Sequence, residues 1–284
     1  METGLTEGRR LGETRKRNFW RKNEFCLGTW NVLSLYRAGA PRILLDQIDK
    51  RKAGIISIQE IRWTGQRVLE KRGHTIFYSC DVRQHMLGVG FVLKKNFKHL
   101  VMDFKAISTR IFSLRIKGKF FNYTIINVNA PTELSAEEEK DSFCDLLQKT
   151  YEQSPSYDVK IVIGDMNAQV GKGEMYCTTS GKQILHEKTN DNGYHLIYFA
   201  TLNNMLIGST MFQHKNVHKP TWTAPDRSFE SQIDHMVIDA RHMSDLMDVR
   251  SYRGGNVDSD HLKQFPCSGG ETVQEEWDTC TSTG

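Results

Sequence analysis

No stretch of this sequence stays apolar for the roughly 20 residues that a bilayer-spanning helix needs, and no apolar segment follows the charged residues at the N-terminus. A helical span, a secretory signal and an anchor are therefore not expected, and the chain reads as intracellular. None of the cysteines (Cys26, Cys80, Cys144, Cys177, Cys267, Cys280) forms a CxxC pair, so free thiols are the default and a zinc site is not expected. No linker, repeat or low-complexity tract divides the chain. A Tyr-Ala-Asp-Asp type motif is also absent, so reverse transcriptase activity is not encoded. What remains is 284 residues with 25% charged and 38% hydrophobic content, which suits one large soluble α/β domain with a sizeable core.

The formal net charge of +4 is mild but uneven. Arg9, Arg10, Arg15, Lys16, Arg17, Arg21 and Lys22 crowd the first 22 positions. Such a leader, residues 1–24, can contact nucleic-acid phosphates or act as a nuclear address, making the nucleus rather than the cytoplasm the expected compartment. The plain alternative is a solvated, disordered arm.

The run Ile161-Val162-Ile163-Gly164-Asp165-Met166-Asn167 carries the most information. Three β-branched residues in succession suit a strand covered on both faces, and Gly164 lets the backbone bend and approach a ligand. Asp165 and Asn167, at period two, can face the same way at the strand's end. Alone, this reads equally as an Asx-type turn. The pattern recurs, however. Phe25 to Trp30 is a strand that stops at Asn31, and Ile55 to Ile58 is a strand that stops at Gln59-Glu60. Between them Pro41 opens a helix to about Lys52. Further strands are expected at Thr75 to Ser79, Gly88 to Leu93, Ile111 to Ile116, Phe120 to Val128, Met205 to Ile207 and Gln232 to Ile238. Ser135-Ala136-Glu137-Glu138 has capping-box spacing for a helix to about Gln153, and a further helix is expected from Gly193 to Asn203. Hairpins mixed with helices favour an α/β (α+β) sandwich of two mainly antiparallel sheets flanked by helices.

Near the C-terminal end, Ile233-Asp234-His235 and Ser259-Asp260-His261 join acids to imidazoles. A carboxylate beside a histidine fixes its tautomer and raises its protonated fraction, which suits phosphate binding. An exposed strand-end carboxylate such as Glu60 can ligate a hard cation, although a lone one is more commonly a surface acid. Trp222 in Thr221-Trp222-Thr223 is either packing or a platform for a base or sugar.

Taken together, Thr29-Trp30-Asn31-Val32, Gln59-Glu60, Gly164-Asp165-Met166-Asn167-Ala168, Gln232-Ile233-Asp234-His235 and Ser259-Asp260-His261 resemble, in this order, the endonuclease/exonuclease/phosphatase superfamily with its DNase-I-like fold. Further wording is similar to the craniofacial development protein 2-like and non-LTR retrotransposon group, whose abasic-type endonuclease domains cut DNA: Ile61-Arg62-Trp63-Thr64-Gly65, Gly88-Val89-Gly90-Phe91, Phe120-Phe121-Asn122 and Thr221-Trp222-Thr223. The resemblance covers residues 25–261 and implies a four-layer sandwich. It also implies Mg²⁺, with Mn²⁺ as the alternative, on Glu60, with Asn31 and Asp260 in or just outside its ligand shell. Asp165 would activate water, Asn167 would donate to the phosphorane oxygens, and His261, polarised by Asp234, would add a charged donor. Asn129 and Trp222 would face substrate, and DNA is the implied partner.

Two departures stand out. Asn129 occupies a position where the family pattern has an aromatic residue or histidine. After His261, Pro266 and the paired Gly269-Gly270 argue against the final apolar strand of the family, so residues 262–284 read as a divergent tail and the last strand as missing. The expected function is a Mg²⁺-dependent DNA endonuclease, with reduced activity as one outcome. A phosphatase or phosphodiesterase on inositol lipids or nucleotides is the alternative enzyme. A non-catalytic DNA-binding remnant of a mobile element is the alternative of another class.

Overall fold

The computed structural model describes residues 25–51, 53–173 and 178–252, and the backbone of 263–268. The basic leader, Asp260, His261 and the chain past Ser268 lie outside the described residues. The first sheet holds β1 (Phe25–Asn31), β2 (Ile55–Gln59), β3 (Gln66–Lys71), β4 (His74–Ser79) and β5 (Val89–Lys94), joined by β14 (Asp248–Tyr252) and β15 (Lys263–Ser268) in the order β14-β15-β1-β2-β5-β4-β3. The second holds β6 (Val101–Ala106), β7 (Ile111–Ile116), β8 (Tyr123–Asn129), β9 (Val159–Asp165), β10 (Met205–Ile207) and β13 (Asp234–Asp239), in the order β10-β13-β9-β8-β7-β6. A small hairpin, β11 (Trp222–Thr223) with β12 (Glu230–Ser231), stands apart.

Each sheet is antiparallel except for one parallel pair, β1 with β2 and β8 with β9. A parallel pair needs a crossover. The helix α1 (Ala40–Lys50) supplies the first and α2 (Glu137–Glu152) the second. Both pairs therefore run their C-terminal ends the same way out of their sheets, where open α/β sheets place ligands.

Three apolar cores make four layers. Leu27, Ile55, Phe91, Phe112, Ile161 and Ile163 fill the space between the sheets. Leu44, Leu45 and Ile48 of α1 cover the outer face of the first sheet on Trp30, Ile56 and Ile58. On the second sheet, Leu147 of α2 and Leu196, Ile197 and Phe199 of α3 (Asp191–Leu202) cover Ile126, Val128 and Val162. The triplet in β9 thus splits, with Ile161 and Ile163 facing one core and Val162 the other. Burying each such side chain contributes about 1.5–3 kcal/mol.

The closing strand is present, which corrects the expectation that it is missing. β15 lies between β14 and β1, pairing Phe265 with Arg250 and Cys267 with Cys26. Pro266 removes one N–H, and the register to β1 passes from Cys267 to Gln264 without pairing it. A single lost donor interrupts a ladder without ending it. The paired glycines fall after the strand's end at Ser268. Two smaller expectations also change. Ala136, not Ser135, is the N-cap of α2 and makes no side-chain cap, so the acids Glu137, Glu138 and Glu139 serve the helix dipole instead. Gly164, at φ +150°, has no room for a Cβ because the Val128 carbonyl oxygen would lie 2.0 Å away. The close approach there is to the neighbouring strand.

Candidate active site

At the shared C-terminal end of the parallel pairs, the register sets Asn31 beside Gln59 in the first sheet and Asn129 beside Asp165 in the second. β13 runs antiparallel to β9 and places Asp234 beside Asp165. Sheet pairing thus lines up Asn31 with the Gln59 end of β2 in one sheet, just before Glu60, and Asn129, Asp165 and Asp234 in the other.

Side chains close the gap between the sheets. Asn31 is buried, and its Nδ2 donates both to Glu60 Oε1 (3.0 Å) and to Asp165 Oδ2 (2.9 Å). Its Oδ1 accepts from the Leu33 amide at 3.0 Å, which fixes the amide's orientation and leaves the nitrogen facing the carboxylates. Asn31 thus acts as a spacer that holds two acids around one donor. Two carboxylates converging at a rim are the donor set a hard divalent cation prefers, and Glu60, the more accessible of the two, presents its second oxygen toward the rim. That oxygen accepts from Arg62 Nη2 at 2.6 Å.

Asp165 is the more enclosed group. Its Oδ1 accepts from the backbone amide of Asn167 at 3.1 Å. The Asn167 side chain donates to the Ala130 carbonyl at 3.0 Å. Asn190, the N-cap of α3, and Asn192 both donate to the Asn167 carbonyl. Glu133 in turn accepts from the first amides of α3, at Asp191 and Asn192. Asn129 is buried, and its carbonyl accepts from Arg110 Nη1 at 3.1 Å. Trp222 is half-buried, with its ring 6.5 Å from that of Phe229, and its neighbour Thr221 accepts from the Ile233 and Asp234 amides. The hairpin is thereby tied to the start of β13.

Sequence reasoning missed the supports beneath the rim. Gln59 Nε2 donates across the sandwich to Asn127 Oδ1 at 2.6 Å, and Asn127 Nδ2 donates to the Ile58 and Gly90 carbonyls. Behind Asp234, the fully buried His235 holds Ala168 with Nε2 (2.8 Å) and meets Ser209 Oγ with Nδ1 (2.7 Å). A carbonyl only accepts, so Nε2 carries a proton. Burial pushes the pKa of His235 down to about 4. His186 is likewise lowered by burial, and its Nε2 accepts from the Gln232 amide.

Backbone strain marks the same rim. Among the described residues, Leu33 (φ 54°), Glu60 (φ 53°), Arg62 (φ 57°), Leu87 (φ 54°) and Asn167 (φ 47°) adopt left-handed conformations that non-glycine residues rarely keep without compensating contacts. A separate grouping, Glu137, Asp191 and His195, brings ligand atoms within 4.8 Å of one another at the α2 and α3 N-termini. There Lys140 Nζ already donates to Asp191 at 2.7 Å, and Glu60 is not part of it.

The comparisons bear on the family and the fold. Craniofacial development protein 2 of Tragulus javanicus is 35% identical over 240 residues, covering 84% of this chain and 41% of its own length. The chain thus spans about two fifths of that relative. The endonuclease domain of TRAS1, a telomere-specific non-LTR retrotransposon, is 16% identical and superposes with a TM-score of 0.61 over 87% of this chain and 98% of that one. The catalytic domain of Xenopus laevis APE2 is 17% identical, with a TM-score of 0.64 over 86% and 92%. Both share the two-sheet DNase-I-like fold described above. The Endonuclease/Exonuclease/phosphatase family matches residues 28–261, from β1 through the Ser259-Asp260-His261 word, and the chain belongs to that family.

Proposed function

We propose that the chain is a Mg²⁺-dependent phosphodiester hydrolase that nicks DNA, with Mn²⁺ able to replace Mg²⁺. The observation that carries this reading is Asn31 Nδ2 bridging Glu60 and Asp165 from opposite sheets. Glu60 would hold the cation, with Asp260 beside it and Asn31 orienting the carboxylate from just outside. The cation's contribution when bound is to neutralise the scissile phosphate and the leaving oxygen. Asp165 accepts a proton from the attacking water as the water oxygen bonds to phosphorus and the bond to the 3′ oxygen breaks. Asn167, anchored by α3, would donate to the phosphorane oxygens, and by the family resemblance His261, polarised by Asp234, would add a charged donor. Asn129 and Trp222 border the substrate.

The test is nicking of supercoiled plasmid by the purified chain with Mg²⁺, repeated with chelator and with Asp165→Asn. Nicking that survives the chelator or the substitution overturns the reading. Offering abasic oligonucleotides beside soluble phosphoesters separates DNA from inositol-lipid or nucleotide substrates. Asn129, buried where the family pattern has an aromatic residue or histidine, favours one second reading, a DNA-binding protein without turnover. In that case the parent and Glu60→Ala would bind DNA equally and neither would nick it.

A further inference from the structure

The ion pair between Arg62 and Glu60 has no evident role in stability. Arg62 is 44% exposed and Glu60 22%, and pairs reached by solvent contribute little to folding. The backbone beneath the pair is nevertheless held at several points. The Arg62 amide donates to the Leu87 carbonyl at 2.8 Å, and the Ile61 amide donates to that of Gly88 at 3.1 Å. His85 Nδ1 lies 3.0 Å from the Arg62 carbonyl. Trp63 Nε1 donates to the Leu35 carbonyl at 2.9 Å, and its ring packs 4.9 Å from that of Tyr78. Both Glu60 and Arg62 sit in left-handed backbone on this support. A rigid base thus carries one long cationic side chain whose head reaches the rim.

At that head, both oxygens of Glu60 are engaged, Oε1 by Asn31 and Oε2 by Arg62. A divalent cation arriving at Glu60 meets a guanidinium already there, and like charges at such range repel strongly. Of the two donors, Asn31 is buried and Arg62 is half exposed, so Arg62 is the one that can leave. The planar fork of arginine fits a phosphate oxygen pair as well as a carboxylate.

We propose that Arg62 is an exchangeable counter-cation: it neutralises Glu60 before a divalent cation binds, and moves onto a nucleic-acid phosphate when the cation takes its place. This rests on the reading of Glu60 as the cation's holder. The exchange couples the two ligands. A phosphate that captures Arg62 vacates Glu60 for the cation, and the cation that displaces Arg62 frees it for the phosphate, each by the same factor.

The experiment measures Mn²⁺ affinity of the full chain by electron paramagnetic resonance, for the parent, Arg62→Gln, Arg62→Lys and Glu60→Gln. It also measures fluorescence anisotropy of a short phosphorothioate DNA duplex with chelator or with Mn²⁺. Removing the guanidinium is expected to tighten Mn²⁺ roughly tenfold without DNA, while Arg62→Lys stays near the parent. Duplex binding by Arg62→Gln should match the parent in chelator and fall several-fold below it with Mn²⁺. Unchanged Mn²⁺ affinity in Arg62→Gln, or duplex binding weakened equally with chelator, overturns the exchange. Mn²⁺ binding that persists in Glu60→Gln, or that is absent from the parent, overturns instead the assignment of Glu60 to the cation, and the exchange with it.

Discussion

Glu60 and Asp165 face the same Asn31 side chain, yet the first is reached by solvent and paired to a half-exposed guanidinium, whereas the second is 2% exposed and held by a backbone amide. Around Glu60 the backbone is fixed and the charge partner can move. Around Asp165 everything is fixed, from the α3 N-cap to the neutral His235 that clamps Ala168. A proton acceptor needs one geometry kept through the reaction, which a dry, hydrogen-bonded corner supplies. A site for an exchanging ion needs access and a charge that can be traded. Under the proposed function, the contrast would place proton transfer on the second sheet and ligand exchange on the first.

The largest test of that division is Asp165→Asn, which removes the proton acceptor and is expected to lower nicking about 10³-fold with the fold retained, read by plasmid relaxation beside circular dichroism. Next comes acid. Between its ordinary value near 6.5 and about 4, His235 takes up a proton in the unfolded chain but not in the folded one, so stability falls as pH drops through that window and levels off below it. The loss is roughly 3 kcal/mol. Urea midpoints of the parent should therefore decline more steeply from pH 6.5 to pH 4 than those of His235→Gln, and parallel declines would remove His235 from the fixed corner. Asn127→Leu removes one acceptor from Gln59, which keeps Thr29 and Ser57, and the donor to the Ile58 and Gly90 carbonyls beneath both corners, at a cost of about 2 kcal/mol, visible in thermal unfolding. The smallest effect is Glu133→Ala, which takes the acceptor from the first two amides of α3 but leaves the Asn190 cap, for about 1 kcal/mol. Its urea midpoint should shift slightly while Mn²⁺ affinity at Glu60 stays the same; a change there would show that the two corners are not independent.

The strand ends were legible because each follows the same physical pattern, a mainly apolar strand that stops abruptly at polar side chains. Asn31, Glu60 and Asp165 are all of that kind, and the structure gathers them. The edge strands β3 and β6 were not legible. They are largely exposed, and without a buried face there is no alternation to read. His235, expected beside Asp234 as a protonated phosphate-binding imidazole, is instead buried, lowered in pKa and spent on Ala168 and Ser209, and Asn127 was silent for a related reason. A polar residue inside an apolar strand reads as facing solvent, and only the opposite sheet or a neighbouring loop reveals its partner. β15 was misread because proline and glycine were weighed as breakers of the whole segment, when one lies within the ladder at a tolerated place and the others beyond it. Asp260 and His261 rest on their sequence motif.

The position of β15 between β14 and β1 means that the strand made first waits for one made near the end. On the ribosome, β6 to β13 emerge as an uninterrupted block and can assemble the Asp165 corner as soon as they are free, since domains form in the order of synthesis. The sheet that carries Glu60 begins earlier and is completed later, its β1 edge open until Lys263–Ser268 arrives. The half of the rim that carries Glu60 is thus translated before the Asp165 half and closed after it.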